Sequence, residues 1–153
     1  MTMINKIQGC LFFVILLIVG TSVISYGQAT NTEPWTVNQL MPPVELAKVI
    51  NAKNAHQPIV FSIGPGAIIK GSIDIGPAQE KENYTKLKEA LSKLPEDANI
   101  VIYCGCCPFG HCPNIRPAFQ LLKEMKFTNH KLLSLQNNIK VDWIDKGYPK
   151  NER

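Results

Sequence analysis

The sequence predicts an α/β domain built on a mainly parallel central sheet that is flanked by helices. Two continuous apolar runs, PIVFSIG at 58–64 and NIVIYC at 99–104, are typical of strands that are buried on both faces. Segments whose apolar residues recur at helical spacing separate these runs and follow them. Such an alternation of strands and helices is the pattern of an α/β fold. With 153 residues, of which 45% are hydrophobic, the chain is long enough to bury one core.

Three segments of the chain are predicted to form helices. The first, PPVELAKVINAK at 42–53, begins with prolines, which suit a helix start. The second, KENYTKLKEALSKLP at 81–95, has one apolar stripe and ends at its closing proline. The third, RPAFQLLKEMKF at 116–127, has Pro117 in its first turn. The remaining elements are a strand in KLLSLQ at 131–136 and a short final helix in VDWIDKGYP at 141–149.

Residues 1–29 are expected to be a secretory signal peptide. A lone cation, Lys6, precedes an apolar run at 11–19, and small and polar residues follow it as far as Ala29. The polar residues interrupt the apolar stretch before it reaches the roughly 20 residues that a spanning helix needs, so cleavage is favoured over a membrane anchor. We therefore expect a periplasmic or secreted protein. Its organisation is a signal peptide at 1–29, a linker with a first short strand at 30–40, and a single domain at 41–150.

The charge of the mature chain limits the classes of partner, and its cysteine content bears on disulfide formation. Loss of Lys6 lowers the formal net charge from +4 to +3, while all 12 acidic residues remain. This balance is mild and the lysines are scattered, so neither nucleic acid nor a membrane surface is expected as a partner. Cys10 leaves with the leader, and the other four of the five cysteines enter an oxidising compartment, where disulfides persist.

All four remaining cysteines lie in one loop, CGCCPFGHCPNIR at 104–116, directly after the predicted strand at 99–104. In parallel sheets ligands bind at the carboxyl ends of the strands, so this loop is the expected functional site. Three chemistries are open to it: a metal centre, a disulfide and a nucleophilic thiol. The side chains concerned are Cys104, Cys106, Cys107, Cys112, His111 and Arg116.

A metal centre is the first alternative. Thiolates favour Zn and Cu(I), and four of them beside His111 are chemically sufficient. Structural zinc sites usually draw two ligand pairs from separated turns, whereas Cys106 and Cys107 are adjacent in the chain. A site without a bound cofactor is therefore favoured, and a Cu or Zn centre formed by the four cysteines and His111 is kept as the alternative.

A disulfide or a thiol redox site is the second alternative. Adjacent Cys106 and Cys107 are poor partners because neighbouring Cα atoms lie about 3.8 Å apart, less than ordinary disulfides prefer. Cys104 pairs more easily with Cys107, and either of them with Cys112. Cys104 and Cys107 also form a C-x-x-C motif. Redox motifs of this kind lie in the first turn of a helix, however, and the helix here is expected to begin only at 114–117.

A nucleophilic thiol is the third alternative, and it accounts for more of the residues around the cysteines. A Cys104 thiolate at the end of a strand, beside the backbone N–H groups of a glycine-rich turn and a helix N-terminus, has its anionic form stabilised. Arg116 is one of only two arginines in the sequence, the other being Arg153. A guanidinium at this position is suited to bind an oxyanionic substrate through two hydrogen bonds.

Several of these segments resemble the rhodanese-like domain, a sulfurtransferase fold. PPVELAKVI resembles the leading helix of that family, IVFSIG its first core strand, and IVIYC the strand that ends in the catalytic cysteine. IIKGSIDIG at 68–76 is similar to the segment usually written H-I-P-G-A-I-N-I-P, and DWIDKGYP matches the W-x-x-x-G-Y-P ending. The resemblance covers most of the mature chain and implies a rhodanese-like domain of three layers.

The active loop departs from the family pattern. That pattern is C-x-x-G-x-R, whereas Arg116 follows Cys104 by twelve positions and Cys112 by four. We favour Cys104 as the nucleophile because its place at the strand end defines the pocket, while loops accept insertions readily. Cys112 is the alternative nucleophile or a resolving thiol. The rest of the active-site loop comprises Gly105, Cys106, Cys107, Gly110 and His111.

The resemblance implies a two-step transfer of sulfane sulfur. Cys104 takes sulfur from a small donor such as thiosulfate, becomes a persulfide, and passes the sulfur to a thiol or a cyanide-like acceptor. Arg116 and the N–H groups of the loop stabilise the departing oxyanion. If a neighbouring thiol attacks the persulfide, sulfide leaves and a disulfide remains, which requires a thiol reductase as a partner. The remaining alternative is an inactive relative whose cysteines form structural disulfides.

Overall fold

The computed structural model describes residues 33–52 and 57–152 of the protein. The predicted signal peptide at 1–29 and the first residues of the predicted linker lie outside this part of the chain, as does Lys53 at the end of the first predicted helix. Within the two described segments, no helix is long and apolar enough to cross a membrane.

A single sheet of five parallel strands forms the centre of the domain. The strands are β1 (Leu40–Met41), β2 (Ile59–Ser62), β3 (Ile73–Asp74), β4 (Ile100–Tyr103) and β5 (His130–Leu133). They lie in the order β1-β5-β4-β2-β3, and every pair of neighbours is parallel. The central strand is β4, in which Ile102 pairs with Phe61 on one side and Leu132 on the other. The predicted α/β fold with a parallel sheet is confirmed.

Three helices connect the strands, as predicted. They are α1 (Pro43–Ala52), α2 (Lys81–Leu91) and α3 (Ile115–Glu124). Helix α3 ends before the predicted boundary at 127 because Lys126 adopts a left-handed conformation with a φ of 62°. The backbone N–H of Phe127 then donates to the carbonyl of Leu122 and closes the helix end. The predicted final helix is a short π-helical turn, Lys140–Ile144.

Side chains alternate between the two faces of β4, as strand geometry requires. Ile100 and Ile102 pack into the core that the sheet forms with α2 and α3. Val101 and Tyr103 pack into a second core on the opposite face, together with side chains of α1 and the fully buried Trp143. Apolar cores and helices therefore cover both faces of the sheet.

Strand β3 was not predicted as a separate strand. It has only two residues, both exposed, so it lacks the apolar run by which buried strands are recognised. It nevertheless pairs with β2, and just beyond it the backbone N–H of Ala78 donates to the carbonyl of Ile63 at 3.2 Å. This contact brings the segment that leads into α2 to the carboxyl end of the sheet, where the cysteine loop begins.

His130, the first residue of β5, has a defined tautomer in this structure. Its Nδ1 lies 2.8 Å from the carbonyl oxygen of Phe127, which only accepts, so Nδ1 carries the proton. Nε2 then accepts from the side-chain amide of Gln39 at 3.1 Å. Burial lowers the pKa of His130 below its ordinary value of 6.5, against an opposing contribution from the hydrogen bond to Phe127.

We expect His130 to make the fold sensitive to acid. Because its pKa is lowered in the folded chain, the neutral form stabilises the fold above pH 6.5, and this contribution is lost as the pH falls below 6.5. At neutral or higher pH, His130→Gln should be less stable than the wild type by about 1 kcal/mol, the value of one hydrogen bond, and the difference should shrink on acidification. Urea unfolding at a series of pH values measures both effects.

The exposed His111 supplies the matched control for this measurement, as His111→Gln. A stability difference between the wild type and His130→Gln that stays constant down to about pH 5 would contradict the linkage.

Candidate active site

The cysteine loop begins where the central strand β4 ends. The side chains at positions 100, 102 and 104 share one face of the sheet because side chains alternate along a strand. Cys104 therefore lies in the core next to α2 and α3, where it is 1% exposed. Cys112 is packed in the same core and is fully buried, whereas Cys106 between them is exposed. The first and the last of the four cysteines in the loop are thus buried thiols.

Gly64 allows the Cys104 sulfur to lie against the end of β2. A Cβ atom at position 64 would come 2.5 Å from that sulfur, closer than Cβ atoms are found in proteins. Any other residue at this position would displace the sulfur or the end of the strand. The glycine is required by this close approach of a side chain to the backbone.

Asn114, immediately before α3, is buried and contacts Cys104 directly. Its Nδ2 donates to the Cys104 sulfur at 3.4 Å, and its Oδ1 accepts from the backbone N–H of Gln79 at 3.1 Å. Because the N–H of Gln79 can only donate, it determines which end of the amide faces the sulfur. The donating end is therefore held towards Cys104, an arrangement that favours the thiolate over the thiol.

Two backbone contacts hold the loop against the segment that follows β5. The N–H of Phe109 donates to the carbonyl of Leu135 at 2.9 Å, and the N–H of Ile139 donates to the carbonyl of Gly105 at 3.0 Å. Gly105 is buried, and a Cβ atom there would meet the side chain of Ile139 at 2.8 Å. Gly105 thus lets Ile139 pack over the first turn of the loop.

Three of the four thiols come together, and we call Cys104, Cys106 and Cys112 the thiol cluster. Their sulfur atoms all lie within 4.8 Å of one another. The Cys106 sulfur lies 3.3 Å from that of Cys104 and 3.9 Å from that of Cys112. Cys107 borders the cluster, with its sulfur 3.0 Å from that of Cys106. All four cysteines of the loop are free thiols.

The pKa of Cys104 is lowered from its ordinary value of 9.0 to about 5. The neighbouring Cys112 thiol makes the largest contribution, and the backbone N–H of Cys106 and the Asn114 amide add to it. Burial acts in the opposite direction because it disfavours the charged form. The hydrogen-bond donors prevail, so Cys104 is the thiol of the cluster that is ionised at neutral pH.

The other two thiols of the cluster stay protonated. Burial, together with the neighbouring thiols of Cys107 and Cys104, raises the pKa of Cys106 to about 12. The pKa of Cys112 is also raised, first by its hydrogen bond to Cys104 and then by burial. A second negative charge so close to the Cys104 thiolate is strongly disfavoured. The thiol cluster therefore holds one thiolate and two donors.

Arg116 connects the loop to the beginning of the described chain. Its Nη2 donates to the Glu33 carboxylate at 2.6 Å and to the carbonyl of Gly110 at 2.9 Å. The guanidinium also lies over the ring of Trp35, 5.6 Å from the ring centroid. Gly110, a predicted member of the site, thus takes part through its carbonyl oxygen, as a partner of Arg116.

His111 is exposed and lies in the short 3-10 turn Phe109–His111. Its backbone N–H closes this turn by donating to the carbonyl of Pro108 at 3.0 Å. In the described part of the chain, the group of potential metal ligands that converges consists of the three thiols of the cluster, without His111 and Cys107. The five predicted ligands of the metal alternative are therefore reduced to three.

No protein-family model matches this chain, and no curated protein matches it at a significant level. The structure by itself shows an α/β domain with a five-stranded parallel sheet and a cysteine-rich loop after β4.

Gly64 and Asn114 both contact the Cys104 sulfur, and neither was predicted from the sequence as a site residue. Gly64 closes an apolar strand, where a glycine is typical of an ordinary turn. An asparagine just before a helix is typical of an N-cap, but the Asn114 side chain makes no capping hydrogen bond. Its second partner, Gln79, lies 35 positions away in the chain, so no local pattern indicates the contact.

We expect Cys104 to titrate near pH 5 and Asn114 to be one cause of this. Asn114→Asp keeps an acceptor for the Gln79 N–H but places a carboxylate oxygen against the sulfur, so the pKa of Cys104 should rise by about one unit or more. The ultraviolet absorbance of thiolates measures this titration without a reagent that has to reach the buried sulfur. Cys107→Ser is the matched control because Cys107 lies outside the thiol cluster. An unchanged titration in Asn114→Asp would remove the role assigned to the amide.

Proposed function

We propose that the protein is a rhodanese-like sulfurtransferase in which Cys104 carries sulfane sulfur as a persulfide. The observation that carries this proposal is a buried thiol, faced by an amide donor of fixed orientation, at the carboxyl end of the central strand. Ligands of α/β proteins bind at this edge of the sheet. A cysteine with a purely structural role gains nothing from such a donor, whereas a nucleophile gains its reactive form.

In the first half-reaction the Cys104 thiolate attacks the sulfane sulfur of a donor such as thiosulfate. The sulfur–sulfur bond of the donor breaks, sulfite leaves with the electron pair, and Cys104 becomes a persulfide. The Asn114 amide and the backbone N–H of Cys106 stabilise the thiolate before the attack. The step as written requires only protein groups and the donor.

A sulfur donor approaches Cys104 past the side chain of Cys106. The groups around the Cys104 sulfur include Gly64, Asn114 and Cys112, which are all buried, and Cys106, which is exposed. Rotation of the Cys106 side chain away from the Cys104 sulfur therefore opens a route from solvent.

Arg116 is assigned the role of binding the oxygen atoms of the sulfur donor. Its hydrogen bonds to described residues all use Nη2, and a guanidinium also has donors on two further nitrogens. The contact with Gly110 keeps this cation beside the cysteine loop. Thiosulfate and sulfite both present the oxygen atoms that such a planar fork binds.

The proposed partners follow from the chemistry of the persulfide. In the second half-reaction a thiol or a cyanide-like acceptor takes the sulfur from Cys104, and any disulfide that forms in the loop needs a thiol reductase. The predicted signal peptide assigns this reaction to the periplasm or the extracellular space. Both are oxidising, so a reductase is needed there to keep the loop thiols free.

Sulfite release tests the proposal. Reduced protein, freed of reductant and mixed with thiosulfate, should release one equivalent of sulfite per chain. Release should be abolished in Cys104→Ser and should survive in Cys112→Ser, whose hydroxyl still donates to the Cys104 thiolate. No release from the wild type, or a loss confined to Cys112→Ser, would show that Cys104 is not the nucleophile.

A second candidate function is the binding of a soft metal ion by the thiol cluster. The observation that favours it is the approach of three sulfur atoms to within 4.8 Å. Tetrahedral zinc, about 2.3 Å from each thiolate, separates its sulfur ligands by roughly 3.8 Å. The sulfurs of Cys106 and Cys112 lie 3.9 Å apart, and those of Cys104 and Cys106 lie 3.3 Å apart. Zn and Cu(I) are the ions that such ligands favour.

Metal content decides between the two functions. If the thiol cluster is a metal centre, protein that is loaded with Zn or Cu(I) and then dialysed should retain one metal ion per chain. Elemental mass spectrometry measures this metal content. Cys106→Ser should lose most of that metal because it removes one of three ligands, while Cys107→Ser should keep it. Full occupancy together with no sulfite release favours the metal function, whereas sulfite release by chelator-treated protein favours sulfur transfer.

A further inference from the structure

We propose that Cys106 is the internal acceptor of the sulfur carried by Cys104. It attacks the Cys104 persulfide, sulfide leaves, and a disulfide joins Cys104 to Cys106. This inference rests on the proposed function because it needs a persulfide at Cys104. It adds a further activity, the reduction of sulfane sulfur to sulfide at the expense of an external dithiol.

The position of the Cys106 sulfur carries the inference. It lies 3.3 Å from the Cys104 sulfur. A disulfide bond is about 2.05 Å long, so the two atoms have to approach by roughly 1.3 Å. Gly105, the residue between the two cysteines, is anchored by the N–H of Ile139 at 3.0 Å. The exposed Cys106 side chain can therefore rotate while the backbone before it stays in place.

The other two thiols of the loop are less suited to this attack. The Cys112 sulfur also lies within 4.8 Å of the Cys104 sulfur, but Cys112 is fully buried against the core, where an external reductant does not reach it. The Cys107 sulfur lies 3.0 Å from Cys106 but outside the thiol cluster, so it is placed to exchange with Cys106 and not to attack Cys104. Cys106 combines contact with Cys104 and exposure to solvent.

The step balances without an external oxidant. The Cys106 sulfur attacks the inner sulfur of the persulfide, which is the Cys104 sulfur, and the bond to the outer sulfur breaks. The outer sulfur leaves with the electron pair, takes the proton of the Cys106 thiol and departs as hydrosulfide. Two cysteine sulfurs are oxidised to a disulfide, and the same two electrons reduce the sulfane sulfur to sulfide.

The exposure of Cys106 makes this disulfide accessible to a reductant. A thiolate of an external dithiol, such as the active site of a thiol reductase, attacks the Cys106 sulfur and releases Cys104 as a thiolate. Asn114 faces that thiolate as it departs. The second thiol of the reductant then releases Cys106, which takes up a proton. The loop returns to the four free thiols of the present structure.

A single turnover with thiosulfate separates this inference from the proposed function because the two predict different products. Sulfite reports the formation of the persulfide, and sulfide reports its attack by a thiol. Reduced wild-type protein, freed of reductant, should release one equivalent of each, and its intact mass should fall by two hydrogen atoms. Cys106→Ser should release sulfite only and should keep the mass of one added sulfur atom on Cys104. Because Cys106 is exposed, serine at this position is compatible with folding.

Cys107→Ser is the matched control because it removes a neighbouring thiol but not the contact between Cys106 and Cys104. It should release sulfide as the wild type does, and peptide mapping of the oxidised wild type should find Cys104 joined to Cys106. Sulfide release that persists in Cys106→Ser, or a disulfide between Cys104 and Cys112, overturns the inference and leaves the proposed function standing. Absence of sulfite from all variants overturns the proposed function itself.

Discussion

The orientation of one buried amide, that of Asn114, is the constraint on which the geometry of the site depends. The backbone N–H of Gln79 holds its oxygen, so its nitrogen faces the Cys104 sulfur. This contact joins three parts of the fold: the segment before α2, the start of α3 and the end of β4. The short strand β3 matters for the same reason, because its pairing with β2 brings the Gln79 segment to this edge of the sheet.

The three thiols of the cluster share a single negative charge. Cys104 is held as the thiolate by donors, and its charge in turn disfavours ionisation of Cys106 and Cys112. A cluster of three equal thiols thus becomes one nucleophile with two protonated neighbours. Their burial differs as well, since Cys104 and Cys112 are enclosed and Cys106 faces solvent. Because Cys104 is the ionised thiol, it is the sulfur that attacks the sulfur donor. Because Cys106 is the exposed thiol, it is the one that an external partner can reach.

Much of the fold was predictable because local patterns carry it. The apolar run around β4 requires burial on both faces, and helical spacing with proline at the boundaries placed α1, α2 and α3. Local sequence patterns did not predict the elements whose presence or length depends on tertiary contacts. Strand β3 has no apolar run, and α3 stops early because Lys126 adopts a left-handed conformation. From the sequence, Arg116 was expected to bind the oxyanion of the sulfur donor. The structure adds contacts of its guanidinium with Glu33 and with the ring of Trp35.

By itself, the sequence determined the mainly parallel α/β architecture and the place of Cys104 at the end of a buried strand, because strand and helix periodicities are local properties. The strand order of the structure then showed that this strand is the central one. Only the tertiary structure decided which thiols converge, which one is ionised and which one is exposed. Those properties depend on Gly64 and Gln79, which approach the cysteine loop from other elements of the chain, and on Asn114, whose side-chain amide is oriented by Gln79. Spacing within the loop cannot encode them, because the pKa of a thiol depends on its neighbours in space and not on its neighbours in sequence.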